Sequence, residues 1–250
     1  MSRNLSAMVE GFACAAFAAS TLAASLLMRV KPPPPPPITL DNPYGLFDPW
    51  PEEAARHLVS IVSQPVNPAL WSLLIGALLA AVAHLALRVR CRFVPPLRWT
   101  VSLGFLTAAA WPWVIDMSPL LGLVLAAGAT ALLIQGLILD LGRVEHMLEL
   151  TPLGLVAGWQ LVAAAGTAAL ALHALLGLGL DRATLLALLG MSLAGARVQM
   201  MIGPNISFSL ALIWAMIGIA AASLGISITL ATACVLGIAS LAVVIVRVTT

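Results

Sequence analysis

Stretches of about 20 apolar residues, nearly free of charge, recur from one end of this chain to the other, separated by short breaks marked by proline, glycine or arginine. An apolar run of that length, rising 1.5 Å per residue as an α-helix, crosses a hydrocarbon layer of ~30 Å. The pattern predicts about eight such helices, at roughly 8–30, 68–87, 99–117, 119–139, 151–178, 182–202, 206–224 and 226–246. Their starts carry capping signals. Asn67-Pro68, Ser118-Pro119 and Thr151-Pro152 each place a polar cap before a proline that needs no N–H in the first turn. The turns after helices 5, 6 and 7 are short and contain glycine.

One long polar segment, 31–67, interrupts the pattern. It opens with Lys31 and six consecutive prolines, Pro32 to Pro37, which form a stiff polyproline II spacer. Pro51-Glu52-Glu53 then reads as a helix start. Ala54, Ala55, Leu58, Val59, Ile61 and Val62 follow on one helical face, a short amphipathic segment suited to the membrane surface or the mouth of the bundle. The domain reading is therefore 1–30 as the first membrane helix, 31–67 as an extramembrane proline-rich loop, 68–178 as helices 2–5, and 179–250 as helices 6–8. Residues 1–30 also resemble a secretory signal, but Glu10 offsets Arg3 and leaves the leading end barely positive, so a retained helix is expected.

Composition sharpens this picture. Hydrophobic residues are 61% of the 250 positions and charged residues only 9%, and the mean hydropathy is +1.05. The expected fold class is an all-α, polytopic transmembrane helical bundle. A formal net charge of +2 gives no reason to infer a nucleic-acid partner. Arginine placement orients the chain. With the connection 88–98 in the cytoplasm, Arg3, Arg88, Arg90, Arg92, Arg98, Arg143, Arg197 and Arg247 share that side, against Arg29, Lys31, Arg56 and Arg182. Both termini are then cytoplasmic and the proline arm is outside. Lys31 is the one lysine, an arginine preference that reads as the habit of a GC-rich bacterium. The expected location is a bacterial inner membrane, cytoplasmic or intracytoplasmic.

The apolar interior narrows the chemistry. There is no HExxH, GxSxG or phosphate-binding loop, and no paired intramembrane aspartates, so no catalytic residue and no metal site are assigned and an enzyme is not expected. Cys14, Cys91 and Cys234 lack metal-type spacing and read as small buried residues. Glu10, Asp116 and Arg197 all fall toward helix ends rather than at mid-membrane, which disfavours an ion-coupled transporter. His84 and His173 lie within helices 2 and 5. Such a histidine either hydrogen-bonds a neighbouring helix or ligates the metal of a tetrapyrrole. Gln135, Gln160 and Gln199 are expected to hydrogen-bond between helices, with Gln160 beside Trp159 also placed to orient a ligand. Gly122, Gly154, Gly190 and Gly218 each precede a small residue four positions on, a pattern for close helix approach or for homo-oligomer contact.

Tryptophan is the more suggestive signal. Trp71 opens helix 2, Trp111-Pro112-Trp113 puts a proline between two indoles inside helix 3, and Trp159 lies well inside helix 5. Flat rings around an interrupted helix either fill a core or line a slot for a planar apolar molecule.

These residues resemble the TspO/MBR family, the tryptophan-rich sensory proteins that include the mitochondrial translocator protein. The resemblance rests on the long loop after helix 1, Asn67-Pro-Ala-Leu-Trp71, Ala110-Trp-Pro-Trp113 and Pro152-Leu-Gly-Leu-Val-Ala-Gly-Trp-Gln160, with the 207–219 segment similar to the extended members. In its first loop the chain departs from the family, because polyproline replaces much of the aromatic content. The resemblance implies a five-helix core plus three C-terminal helices. It also implies a pocket for a tetrapyrrole or sterol-like ligand bounded by Trp71, Trp111, Pro112, Trp113, Trp159 and Gln160, and a sensory or regulatory role in tetrapyrrole or pigment metabolism. Candidate occupants are a tetrapyrrole, a carotenoid or a lipid. Two further classes compete. One is a non-catalytic accessory subunit docked on a larger photosynthetic or respiratory membrane complex, suggested by the smooth alanine- and glycine-rich surface. The other is a small-solute exporter, disfavoured by the scarcity of buried charge.

Overall fold

The computed structural model describes residues 3–27, 65, 67–90, 99–141, 150–224 and 227–250. Among them are eight α-helices and no strand: α1 (Arg3–Leu27), α2 (Pro68–Arg90), α3 (Trp99–Val114), α4 (Pro119–Leu141), α5 (Thr151–Leu176), α6 (Leu180–Ile202), α7 (Ser207–Ser223) and α8 (Ile228–Thr249). Six of these, all but α3 and α7, contain spans long and apolar enough to cross a membrane. The protein is a helical membrane bundle. The polyproline run, the amphipathic 54–62 segment, Arg92, Arg98 and the 142–149 connection lie outside the described residues.

Two of the expected caps form. Asn67 Oδ1 accepts the Leu70 N–H at 3.0 Å, and Ser118 Oγ accepts the Leu121 N–H at 3.3 Å. The third is displaced: Leu150 is the N-cap of α5, without a side-chain cap, and Thr151-Pro152 already lies in the first turn. Proline tolerates that position because its missing N–H has no helical partner there. Gly177, at φ 62°, ends α5 in a left-handed cap that most side chains would strain.

Around α5 the remaining helices close into a ring in the order α1, α3, α4, α6, α8, α7, α2. The sequence of α5 explains its central place. From Val162 to Ala171 it is almost entirely alanine, glycine and threonine, so neighbours approach its backbone on every side and nearly all of it is buried. In lipid no hydrophobic effect drives helices together, so close contact of small residues carries the association. A Cβ built on Gly158 would lie 2.5 Å from the Phe208 carbonyl oxygen and 2.8 Å from Ala211 Cβ. Gly122 and Gly218 also back onto neighbours, Ile115 and Leu70. Gly190 does not: it meets open space, and the close approach on α6 occurs at Gly195, against Leu212.

Contacts fix the helix directions. Gly136, Gly104 and Gly122 face Val101, Leu133 and Ile115 in turn, so α3 and α4 form one antiparallel hairpin in constant register. Phe17 meets Phe105 and Ser20 meets Ala109, so α1 runs parallel to α3. Gly154 faces Ser207 and Gly158 faces Ala211, so α5 runs parallel to α7. The beginnings of α1 and α3 and the end of α2 therefore share one end of the bundle, here the arginine end.

Candidate functional site

A buried aromatic wall runs through the interface of α1, α2, α3 and α5. The Phe17 ring lies 5.4 Å from Phe105 and 5.7 Å from Trp159, the latter edge-on, and Phe105 lies 6.0 Å from the His84 ring. These separations are those of favourable aromatic pairs. Helix direction places the residues together: each stands within a few turns of the arginine end of its helix.

Toward that end the wall is closed by an ionisable pair. His84 Nε2 and Glu10 Oε1 are 2.9 Å apart across α1 and α2, with His84 4% and Glu10 1% exposed. A carboxylate at this depth requires a hydrogen-bonding partner, and the imidazole supplies one. His84 thus bonds a neighbouring helix, the first of its two expected roles. Glu10, expected near a helix end, is instead buried against α2. Its signal was positional: Glu10 stands seven residues after Arg3 and His84 six before Arg90, which matches their depths once the helices alternate. Asp116 is exposed in the α3–α4 turn and Arg197 is exposed on α6.

Deeper along α5, Gln160 is 0% exposed, and neither its amide nitrogen nor its oxygen has a hydrogen-bond partner. Counting around the helix, Gln160 points about 200° away from Gly158, which faces α7. Trp111 is also fully buried, with its indole N–H unpartnered. It sits six residues beyond Phe105 on α3, roughly 9 Å further along the axis. Leaving such groups unpaired costs roughly 1–3 kcal/mol each.

The remaining predicted residues separate. Pro112 is buried beside Trp111 inside α3, and its missing N–H leaves the Ala108 carbonyl without a helical partner. Trp113 is 44% exposed on the outside of the ring, and its Nε1–H donates to Ser20 Oγ at 2.7 Å. The two indoles flanking Pro112 thus face opposite ways. Trp71 packs half-buried against the core in the first turn of α2, at the end of that helix remote from His84. Among the tryptophans named for the slot, Trp111 and Trp159 face the interior most fully. Their levels differ, and Trp159 is nearer the arginine end.

His173 is exposed at the far end of α5. Its ring nitrogen Nδ1 is 2.8 Å from the Leu178 carbonyl, which can only accept, so Nδ1 carries a hydrogen and donates it. No group of three His, Cys, Asp or Glu side chains able to hold a metal occurs among the described residues.

Gln199 is the counterpart of Gln160. It too is 0% exposed, but its amide donates to the Gly203 and Asn205 carbonyls at 2.7 and 3.1 Å, and its oxygen accepts from Ser209 at 2.6 Å. Those bonds shape the α6–α7 turn. Gln135 is exposed on α4.

Protein-family models, curated proteins and solved structures yield no match to this chain. The TspO/MBR resemblance therefore rests on the short motifs quoted above.

Proposed function

We propose that this chain is a membrane receptor for a flat, largely apolar ligand carrying a few polar groups, of the tetrapyrrole or sterol-like class, with a sensory or regulatory rather than a turnover role. The observation that carries the reading is Gln160. A fully buried amide with no partner, one residue from a tryptophan in an aromatic wall, is poorly explained as packing. It is well explained as a hydrogen-bonding point for something that enters the bundle. The indole N–H of Trp111 offers a second such point. The TspO-like motifs at helices 2, 3 and 5 support the same class of ligand.

The reading takes eight membrane crossings, with both termini in the cytoplasm of a bacterial inner membrane. The alternating helix directions and the arginine distribution support it. On this reading the arginine end faces inward and Trp159 forms the floor of the site.

The test is a fluorescence titration of the full chain in lipid nanodiscs with protoporphyrin IX. Saturable quenching is expected, with Trp159→Phe weakening binding severalfold as the smaller ring gives up part of the indole's contact area. Absence of saturable quenching, or an unchanged Kd in both Trp159→Phe and Trp111→Phe, contradicts it.

A further inference from the structure

The ring around α5 is not equally tight at every seam. Between α3 and α4, and between α5 and α7, glycines sit so close to the facing helix that an added Cβ would collide with it at Gly136, Gly154 and Gly158 and would press tightly on Leu133 at Gly104. The α1–α2 seam is different. Its glycine, Gly11, would bring a Cβ no nearer than 3.6 Å to the Leu85 side chain, an ordinary contact. α1 leans chiefly on α3. Where backbone interlock is missing, the buried Glu10–His84 contact spans the seam.

We propose that Glu10 and His84 form a proton-binding site whose occupancy sets how tightly α1 is held to α2. This goes beyond the ligand reading and does not depend on it. With Glu10 ionised and His84 protonated the contact is charge-assisted, about twice the strength of a neutral hydrogen bond. A proton taken from water onto the Glu10 carboxylate turns the contact into a carboxylic acid beside an imidazolium. The attraction between opposite charges is gone and the seam loosens. Return of that proton to water restores it. Removing the imidazolium proton instead leaves a carboxylate facing a neutral ring, again a weaker tie. Tight closure therefore belongs to intermediate pH, and acid opens the seam.

The surroundings of the pair are specific. On α1 the other ionisable groups are Arg3, two turns toward the arginine end, and Cys14, one turn inward. On α2, Arg88 stands one turn beyond His84 and Arg90 ends the helix. α3 and α7 contribute no titratable residue, and α5 contributes only His173, at its far end. Phe105, with Phe17 and Trp159 behind it, screens the pair from the bundle interior.

Two buried thiols in the same molecule read the seam. Cys14 lies one turn from Glu10, and Cys234 lies on α8, away from it. The full chain in nanodiscs is exposed to 4,4′-dithiodipyridine, and disulfide labelling of each cysteine is followed by mass spectrometry from about pH 8 down to about pH 3.5, spanning the ordinary imidazole and carboxyl ranges. The Cys14-to-Cys234 rate ratio is expected to be lowest at intermediate pH in the wild type and to rise about tenfold at the acid end, as the charge-assisted contact is lost. In Glu10→Gln the ratio is expected to be high and flat. A wild-type ratio that stays flat overturns the proposal. So does a rise shared equally by both thiols, which reports general loosening. The wild type alone decides the matter if Glu10→Gln fails to fold, and His84→Gln provides a second variant expected to be flat.

Discussion

Two glutamines with the same burial have opposite surroundings, and the contrast separates the two halves of the bundle. Gln199, at the end of α6, spends both ends of its amide on the α6–α7 turn through Gly203, Asn205 and Ser209. Gln160, in the central helix, has no partner at all. Burial without hydrogen bonding is unfavourable for an amide, so one residue reads as structure and the other as a prepared contact. The same division runs through the helices around them. On the α6–α7 side, Gln199, Ser209, Ser207 and the Asn205 side-chain oxygen bond one another or the turn backbone, though Asn205 Nδ2 has no partner. The α1–α3 side holds the aromatic wall, the ionisable pair and the unpartnered indole.

Substitutions can break this contrast. Gln199→Leu strands two carbonyls and a serine hydroxyl and is expected to destabilise the folded bundle most, by about 2–4 kcal/mol, measured by denaturant titration in mixed micelles. If Gln160→Leu costs as much, the two residues are not different in kind. Next comes Gly158→Ala, which drives a methyl into the Phe208 backbone; about 1–3 kcal/mol of lost stability is expected, read in the same titration. Gln160→Leu should leave the ligand-free protein as stable as the wild type or about 1 kcal/mol more so, because it removes unpaired buried groups, while weakening protoporphyrin quenching about tenfold. Gly190→Ala, which meets nothing, should shift stability by less than about 0.5 kcal/mol in the thermal transition. A larger loss there would mean that α6 meets a partner through that face.

Much of the fold was legible because its signals are local. Run length placed the helices, and Asn67 and Ser118 announced their helix starts, since a cap needs only the residues beside it. What surrounds each helix was not legible. α7 is apolar on every side, so no stripe in its sequence names the face that α5 covers. Helical spacing turns Trp111 and Trp113 in different directions, but it does not say which of them meets the core, nor that the close approach on α6 falls at Gly195 rather than Gly190. Glu10 and His84 are 74 positions apart. Their meeting depends on two helices alternating in direction and turning the right faces together, and no spacing rule encodes that. The tryptophan motifs point to α3 and α5, whereas the missing hydrogen bonds at Gln160 and Trp111 are revealed only by three-dimensional surroundings.

Side-chain amide NMR of glutamine-labelled protein in nanodiscs tests the central claim most directly, with Gln160 and Gln199 assigned by their leucine variants. Addition of protoporphyrin is predicted to shift the Gln160 amide signal and leave Gln199 in place. A Gln160 signal that stays fixed at saturating ligand would contradict the account.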